Sequence, residues 1–360
     1  MKMSSRYNRQ VILPQIGTTG QEKLQNAKVL LIGAGGLGAT ILPYLTAAGI
    51  GKIGIVDVDK IEITNLQRQV IYTTDGIGKS KVQEAKKSMN ALNSDCEIIA
   101  YEMLFSAENA LELVEKYDVI IDGTDNIATK YLINDACVVK NKPLVYGSVY
   151  RFEGQVAVFN YQNGPTYRCL YPNENRNSMN CVEAGVLGVS VGIIGMLQAN
   201  EVLKILLGIG EVITGSVLIY NCLSNLQEKF SFAKKEVYIQ SEAEFRNHFK
   251  TTEDNSRTIE ITTIMSKISS KNVLFLDVRN SDELPLVEFE NCIQIPLSEL
   301  EEKHSILDKS KEIIVFCQSG IRSKMAAEML QKRNFKNIIN CEFGAQALVT
   351  LLKENKVSSH

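Results

Sequence analysis

Short apolar runs recur along the first part of the chain, and each is followed by a polar or glycine-rich turn. The runs are Lys28–Ile32, Lys52–Val58, Asp118–Ile121, Leu144–Tyr146 and Gln155–Phe159. Helical patterns of apolar residues separate them, and strands that alternate with helices are typical of βαβ units. The pattern therefore predicts an α/β domain that is built on a mostly parallel sheet.

A second block of the same character follows a stretch, from about residue 230 to residue 257, in which the apolar pattern loosens and charges accumulate. Strands are predicted in this block at Val273–Leu276 and Glu312–Phe316, with a helix starting near Ser323. We therefore predict a domain over residues 1–230, a linker over 231–257 and a smaller α/β domain over 258–360.

Two further segments have distinct compositions. The run Val186–Ala199 is apolar but too short for a membrane span, and it continues into Asn200 and Glu201, so it predicts a buried core helix. The segment Asn173–Asn180 is polar and lacks periodicity, which predicts a mobile loop.

Charge and cysteine content narrow the class of protein. Lys and Arg number 39 and Asp and Glu 41, so no basic excess favours nucleic acid or an anionic membrane as a partner. The first ten residues lack the apolar core of a secretory signal, and the eight cysteines are scattered without the spacing of a disulfide framework. These features predict a cytoplasmic protein.

A glycine loop between the first strand and its helix predicts a nucleotide site. The spacing G-x-G-x-x-G is formed by Gly33, Gly35 and Gly38, with Gly36 inside it, and Asp57 follows the next strand. Glycines let the backbone approach a polyphosphate at a helix N-terminus, and a carboxylate after the second strand suits the ribose hydroxyls. An NAD-dependent dehydrogenase would use the same motif.

Cationic residues after Asp57 favour ATP over a dinucleotide. Arg68 lies within Asn65–Gln69 (NLQRQ), and Lys81 ends Gly78–Lys81 (GKSK). Adenylation must stabilise the charge of a departing pyrophosphate, which these side chains suit. Asp125 follows another strand and suits magnesium, which would shield the phosphates.

A cysteine loop marks the second block. Cys317 directly follows a strand, a helix begins shortly after it, and Arg322 lies five positions further on. Backbone N–H groups, a helix N-terminus and an arginine curling back all favour a thiolate over a thiol. Phosphatases of related fold place five residues between cysteine and arginine, whereas here only four intervene, which favours sulfur chemistry.

Together with Arg6–Gln10 near the start and Cys181–Val186 later, these motifs of the first block resemble the MoeB/ThiF family, the bacterial relatives of the ubiquitin-activating enzymes. The resemblance implies a Rossmann-like fold and ATP-dependent adenylation of the C-terminus of a ubiquitin-like sulfur carrier ending in Gly-Gly. It implies that Arg9, Arg68 and Lys81 contact the ATP phosphates, with Arg9 reaching across a homodimer. Asn65 would help to position the nucleotide, Asp57 would hold the ribose and Asp125 would bind magnesium.

The family usually carries a structural zinc held by two C-x-x-C pairs, and this chain departs from that pattern. The first pair would be Thr166–Cys169, which has a single cysteine, and the second is absent from the residues after Gln227. One thiol cannot build a tetrahedral site. We therefore predict no zinc.

Residues 258 to 357 resemble a single rhodanese domain, in which Cys317 would carry a persulfide. A persulfide is the sulfur nucleophile that an acyl adenylate needs, and fusion raises its effective concentration. The resemblance leaves the donor open between thiosulfate and a cysteine desulfurase persulfide. Cys181 either resolves the acyl persulfide or links transiently to the carrier, or is a passive thiol.

The sequence leaves two alternatives to this catalytic reading. A non-catalytic scaffold that binds the carrier would explain the lost zinc cysteines, and a dehydrogenase with a sulfurtransferase appendage would explain the glycine loop. The pathway also stays open among molybdopterin, thiamine thiazole, tRNA thiolation and cysteine synthesis.

Overall fold

The computed structural model divides the chain into two compact units, Met1–Lys250 and Thr251–His360. It describes residues 5–172, 185–235, 239–249, 257–258, 261–268, 270–280, 283–287, 289–318, 320–341 and 344–357. The predicted loop Asn173–Asn180 therefore lies outside the described residues.

The first unit alternates strands and helices over its first half, as the apolar runs predict. Its strands are β1 (Lys28–Ile32), β2 (Lys52–Val56), β3 (Glu97–Tyr101), β4 (Val119–Asp122), β5 (Leu144–Tyr150), β6 (Glu153–Phe159), β7 (Ser216–Asn221) and β8 (Leu226–Ser231). Its helices are α1 (Asn8–Val11), α2 (Gly17–Asn26), α3 (Gly36–Ala48), α4 (Lys81–Leu92), α5 (Ala110–Glu115), α6 (Ile127–Val139), α7 (Tyr167–Leu170), α8 (Gly188–Leu207) and α9 (Glu242–His248).

One eight-stranded sheet joins all eight strands in the order β3-β2-β1-β4-β5-β6-β7-β8. The five strands from β3 to β5 pair in parallel, whereas β5 to β8 pair antiparallel. The predicted mostly parallel sheet is confirmed. The order reverses between β1 and β4, and an open α/β sheet has its ligand crevice at the carboxyl ends of strands at such a point.

Both faces of the sheet are covered from β1 to β6, because alternate residues of these strands enter different cores. In β1, Leu31 packs in the same core as Ile41 of α3, whereas Leu30 packs with Val114 of α5 and Ile133 of α6. Strands buried on both faces read as continuous apolar runs, which is why β1 was visible in the sequence.

Helix α8 is a core helix, although by length and composition alone its 20 residues could cross a membrane. Its Ile194 lies against Gly154 of β6, and its Gln198 lies against Gly147 of β5. Gln198 Nε2 also donates to the carbonyl of Asp122 at 2.8 Å. These contacts fasten α8 to the middle of the sheet, in agreement with the buried helix predicted there.

Residues 239–249, which fall within the predicted linker, pack on the first unit. Ile239 and Phe245 are buried in the core that contains Leu30, and Lys140, the residue after α6, donates to Glu242 at 2.6 Å. Ser241 caps α9 by accepting from Glu244 N–H. A capped, seven-residue helix with one buried aromatic side chain is too short to give a periodic signal.

The second unit is a smaller parallel α/β layer. Its strands are β9 (Arg257–Thr258), β10 (Val273–Asp277), β11 (Cys292–Gln294), β12 (Glu312–Phe316) and β13 (Ile338–Asn340), in the order β11-β10-β12-β13-β9. Its helices are α10 (Ile261–Ile268), α11 (Leu300–Lys303), α12 (Ile321–Lys332) and α13 (Gly344–Val357). Asp277 pairs in register with Phe316, so the residues after β10 and β12 lie side by side at the carboxyl edge. Helix α12 starts at Ile321, two residues before its predicted start, because Gly320 takes a left-handed φ of 83° there.

Candidate functional site

The glycine loop lies at the point where the strand order reverses, and its glycines differ in purpose. A Cβ atom on Gly33 (φ +94°) would stand 2.8 Å from the backbone of Gly123, and one on Gly38 would stand 2.5 Å from the carbonyl oxygen of Gly33. These two glycines therefore permit close backbone contacts inside the protein. A Cβ on Gly35 would meet only Gln69 Nε2, at 3.8 Å. Gly35 thus leaves the start of α3 open to a ligand, whereas a Cβ on Gly36 would stand 2.7 Å from Val191 Cγ1, so Gly36 permits close packing inside the protein.

Asp57 is bound to the glycine loop. Its Oδ2 accepts from Ala34 N–H at 2.7 Å, and its Oδ1 accepts from Asp59 N–H at 2.8 Å. Burial raises the pKa of the Asp57 carboxyl, and the N–H groups and the charge of Lys81 offset part of that rise. Tyr72 Oη donates to the carbonyl of Ala34 at 2.8 Å, so the loop is held from both sides.

Arg68 and Lys81 approach the site from the segment after β2. The Cγ and Cδ atoms of Arg68 lie 3.4 and 3.6 Å from a Cβ placed on Gly36, and its Nη1 donates to the carbonyl of Thr64 at 3.0 Å. Lys81 begins α4, is buried, and its Nζ lies 2.8 Å from Asp59 Oδ2. Both cations therefore border the loop.

Asn65, the third residue predicted in this segment, holds the segment's own backbone. Its Oδ1 accepts from Glu62 N–H at 3.1 Å, which closes a capping box. This contact shapes the chain that carries Arg68. Within a single chain, Asn65 therefore makes a local structural contact. Its role in positioning the nucleotide stays a prediction.

Asp125 is exposed after β4, beside a buried ion pair that the sequence did not predict. Lys130 Nζ donates to Asp122 Oδ2 at 2.8 Å, to the carbonyl of Thr124 at 2.8 Å and to that of Gly147 at 3.1 Å. Asp122 Oδ1 accepts from both the N–H and the hydroxyl of Thr124. The backbone that leads to Asp125 is therefore fixed beside Gly33.

Arg9 is not part of this constellation in a single chain. Its neighbours Tyr7 and Gln10 contact Gly49 and Ala48 at the C-terminal end of α3. The glycine loop lies at the N-terminal end of the same helix, about 18 Å away at 1.5 Å per residue. Arg9 is exposed there.

One further observation indicates that the site fits a nucleotide. Within the described residues, Gln69 Oε1 is buried and lacks a hydrogen-bond partner, and Gln69 Nε2 faces Gly35. Buried polar atoms are normally paired, so an unpaired oxygen on the side chain whose nitrogen faces the open loop suits a ligand that supplies the donor. From the sequence alone, Gln69 was recognised only as the last residue of the segment Asn65–Gln69 and was given no role of its own.

At the corner where the family's zinc would lie, a single thiol takes hydrogen bonds instead. Cys169 Sγ accepts from Thr166 N–H at 3.3 Å and from Lys235 N–H at 3.2 Å. Beside it, Arg168 makes a bidentate ion pair with buried Asp135 at 2.7 and 2.5 Å. Among the described residues, no group of three or more His, Cys, Asp or Glu side chains could hold a metal. These residues do not fit zinc, because a tetrahedral site needs four ligands.

In the second unit Cys317 is fully buried at the carboxyl end of β12. Its Sγ donates to Ser323 Oγ at 3.5 Å, and Ser323 in turn donates to the carbonyl of Gly320 at 2.9 Å. Arg322 does not direct its nitrogens to the sulfur, because both Nη atoms donate to Glu283, at 2.5 and 2.6 Å. The sequence missed Glu283, which lies 39 positions away from its partner. Cys181 lies outside the described residues.

Substitution of a glycine that permits close packing and of a glycine that faces the open loop should cause different defects. Gly38→Ala should destabilise the first unit by about 1–3 kcal/mol through overpacking against Gly33. Gly35→Ala should change stability by only about 0.5 kcal/mol and weaken ATP binding, since its methyl group would stand where phosphates approach. Urea unfolding and titration calorimetry with ATP measure the two effects. A Gly35→Ala loss of stability as large as that of Gly38→Ala would contradict this assignment.

The Cys169 corner predicts a pH-dependent contribution to stability. Burial opposes ionisation, but the hydrogen bonds from Lys235 and Thr166 lower the pKa of the Cys169 thiol overall from 9.0. The native state then releases a proton that the unfolded chain keeps, so stability rises with pH up to about 9. The difference in unfolding free energy between wild type and Cys169→Ser should therefore grow from pH 6 to pH 9.

Cys96→Ser is the matched control, because burial raises the pKa of that thiol to about 12 and it stays protonated over this range. Its difference from wild type should stay flat from pH 6 to pH 8 and then shrink slightly toward pH 9, because the unfolded thiol begins to ionise there while the buried one keeps its proton. Urea titrations at four pH values measure both. A Cys169→Ser difference equal at pH 6 and pH 9 would show that the sulfur is not a thiolate acceptor.

Comparison with known proteins agrees with this geometry. The ThiF family matches residues 7–239, and the rhodanese-like domain matches residues 261–350. The chain is 48% identical to the sulfur carrier protein adenylyltransferase of Thermus thermophilus over 61% of this chain and 83% of that one. It is 34% identical to the adenylyltransferase and sulfurtransferase MOCS3 of Drosophila sechellia over 93% of this chain and 80% of that one.

Among solved structures, that of E. coli MccB with MccA-N7isoASN has the same fold in the first unit. The TM-score is 0.57 at 21% identity, over 66% of this chain and 75% of that one. The predicted fold class and the predicted resemblance are both confirmed. The chain belongs to the ThiF family and carries a C-terminal rhodanese-like domain.

Proposed function

We propose that the first unit uses ATP to adenylate the C-terminal carboxylate of a ubiquitin-like sulfur carrier, and that Cys317 of the second unit supplies the sulfur. The observation that carries the proposal is the meeting of an open glycine loop, Arg68, Lys81 and the Asp122–Asp125 turn at one point of the sheet. The printed names of the Thermus and Drosophila relatives support the same two activities.

Adenylation needs binding and charge neutralisation more than proton transfer. The carrier's carboxylate is already ionised, and its attack on the α-phosphate of ATP yields an acyl adenylate and pyrophosphate. Gly35 would let the phosphates reach the N-terminus of α3, where backbone N–H groups are unpaired. Arg68 and Lys81 would bind the phosphate oxygens. Lys81 is held ready by Asp59 and would exchange that carboxylate for phosphate.

Asp57 and Asp125 would complete the nucleotide site. Asp57 would accept from the ribose hydroxyls while it keeps its bond to Ala34. Asp125 would hold magnesium, which shields phosphate charge when it is bound. The buried Lys130–Asp122 pair would keep the Asp125 backbone in place.

Sulfur transfer would follow at the acyl adenylate. A persulfide on Cys317 would attack the carbonyl carbon of the adenylate, and AMP would leave with the electron pair of the broken bond. The donor that loads Cys317 would be thiosulfate or a cysteine desulfurase persulfide. The resolving role of Cys181 stays a prediction.

Scattered cysteines and the absence of excess charge support a cytoplasmic location.

We also propose a homodimer in which Arg9 of one subunit completes the site of the other. Arg9 lies about 18 Å from its own glycine loop along α3, too far for a side chain to span. Exposed apolar side chains occur on both segments, namely Ile12 (67%) and Leu13 (48%) just after α1 and Tyr44 (55%) in the second half of α3. Exposed apolar groups beside a cation of this kind favour a protein interface.

Pyrophosphate exchange into ATP tests adenylation. With magnesium and the cognate Gly-Gly carrier, the full chain should catalyse exchange, and Arg68→Ala should lower it by about 100-fold or more through lost stabilisation of phosphate charge. Arg246→Ala is the control, because within the part of the chain that the structure describes this exposed arginine forms its ion pair along α9, with Glu242. Absence of exchange with every Gly-Gly carrier of the organism would favour the carrier-binding scaffold.

Mixing two inactive variants tests the dimer. Random dimers of Arg9→Ala and Arg68→Ala subunits would be half mixed, and one of the two sites in each mixed dimer would be intact. Exchange should therefore recover to about a quarter of the wild-type rate after subunit mixing. Arg68→Ala mixed with itself gives the baseline. No recovery, with mixed dimers shown by native mass spectrometry, would place Arg9 in its own subunit's site or in none.

A further inference from the structure

Two arginines flank the Cys317 loop, one from each strand end at the carboxyl edge of the second sheet. Arg279 follows β10, whose last residue pairs in register with Phe316 just before Cys317. Arg322 lies in the first turn of α12. Such cations would ordinarily draw an anionic sulfur donor to the loop.

Each arginine is already neutralised by a carboxylate. Arg279 Nη2 donates to Asp277 Oδ2 at 2.6 Å, and its Nη1 donates to Gln318 Oε1 of the loop at 3.3 Å. Arg322 donates from both Nη atoms to the two oxygens of Glu283. The two arginines therefore add little net positive charge to the loop.

The two ion pairs differ in how much of their side chains is exposed to water. The Arg279 and Asp277 side chains are 1% and 3% exposed, so breaking that pair would leave a buried charge unpaired. The Arg322 and Glu283 side chains are 28% and 27% exposed, which leaves their pair open to water. Glu283 Oε1 also accepts from Asn280 N–H at 2.9 Å, which anchors the carboxylate. Only Arg322 is thus a cation that a ligand could compete for.

A guanidinium that holds a carboxylate with two parallel hydrogen bonds would hold a sulfonate in the same way. Thiosulfate carries such a group at the end that leaves as sulfite. A persulfide, R–S–SH, carries no oxyanion at its sulfane sulfur. The two donors of the proposed function therefore differ in their need for a free Arg322.

We infer that Glu283 is a specificity-determining residue, which occupies Arg322 and so selects persulfide donors over thiosulfate at Cys317. This inference rests on the proposed sulfur transfer. In the favoured reaction the Cys317 thiolate attacks the outer sulfur of R–S–SH, a new S–S bond forms and the donor's S–S bond breaks. The electron pair leaves on R–S⁻, and the proton stays on the transferred sulfur, so no oxidant or reductant is required.

Removing the charge of Glu283 tests the inference. In the full chain, Glu283→Gln keeps the shape of the side chain and Glu283→Ala removes it altogether. For each variant, kcat/KM is measured with thiosulfate and with glutathione persulfide, using cyanide as the acceptor. The ratio of the thiosulfate value to the persulfide value should rise by about 10-fold or more, mainly through a lower KM for thiosulfate.

Two further variants complete the design. Glu299→Gln is the control, because among the described residues Glu299 pairs with Lys303, on the surface of the same unit, and its ratio should equal that of wild type. Glu283→Gln combined with Arg322→Gln should return the ratio to the wild-type value, since the gain acts through Arg322. A mere structural change at residue 283 would not be cancelled in this way.

Opposite outcomes are distinguishable. An unchanged ratio in both Glu283 variants, with Cys317 persulfide detected by mass spectrometry in wild type, would overturn the inference and leave the proposed function in place. If the wild type gains no persulfide from either donor, and so behaves like Cys317→Ser, the proposed sulfur transfer itself is overturned.

Discussion

A buried ammonium group ties helix α6 to the turn after β4 and to β5, beside the first site. Lys130 Nζ reaches the carboxylate at the end of β4, the carbonyl of Thr124 and the carbonyl of Gly147 in β5. Asp122 is fully buried, so loss of the lysine would leave a bare carboxylate at a cost of about 3–5 kcal/mol. A charge pair of this kind contributes little net stability compared with apolar packing. What it provides is position, because the loops after β1 and β4 must meet within van der Waals contact.

Both sites of the chain follow from one property of parallel sheets. Strand ends of the same polarity gather at one edge, and the helices that follow direct unpaired N–H groups toward that edge. The glycine loop uses this edge after β1, and Cys317 uses it after the central strand β12. The proposed phosphate binding at the first site and the proposed sulfur chemistry at Cys317 would thereby lie at the same kind of sheet edge, where such N–H groups gather.

Whether a feature could be predicted from the sequence depends on how far apart along the chain the interacting residues lie. Strand β1 and its glycine loop are local patterns, so they were predicted almost residue by residue. Strand β8 was missed because all six of its residues are exposed, which removes the alternation that marks a strand. The Glu283–Arg322 pair was missed for another reason. It joins residues 39 positions apart, and only the packing of the second unit brings them together.

The Cys169 corner changes what this unit requires from its surroundings. Structural zinc couples folding to ligand deprotonation and to metal supply, and chelators unfold proteins that depend on it. Here the corresponding corner is closed by two backbone N–H groups on one sulfur and by the Arg168–Asp135 pair. Its integrity is therefore insensitive to scarcity of the metal. The vulnerability shifts instead to oxidants, since a sulfinic or sulfonic group on that sulfur would no longer fit between Thr166 and Lys235.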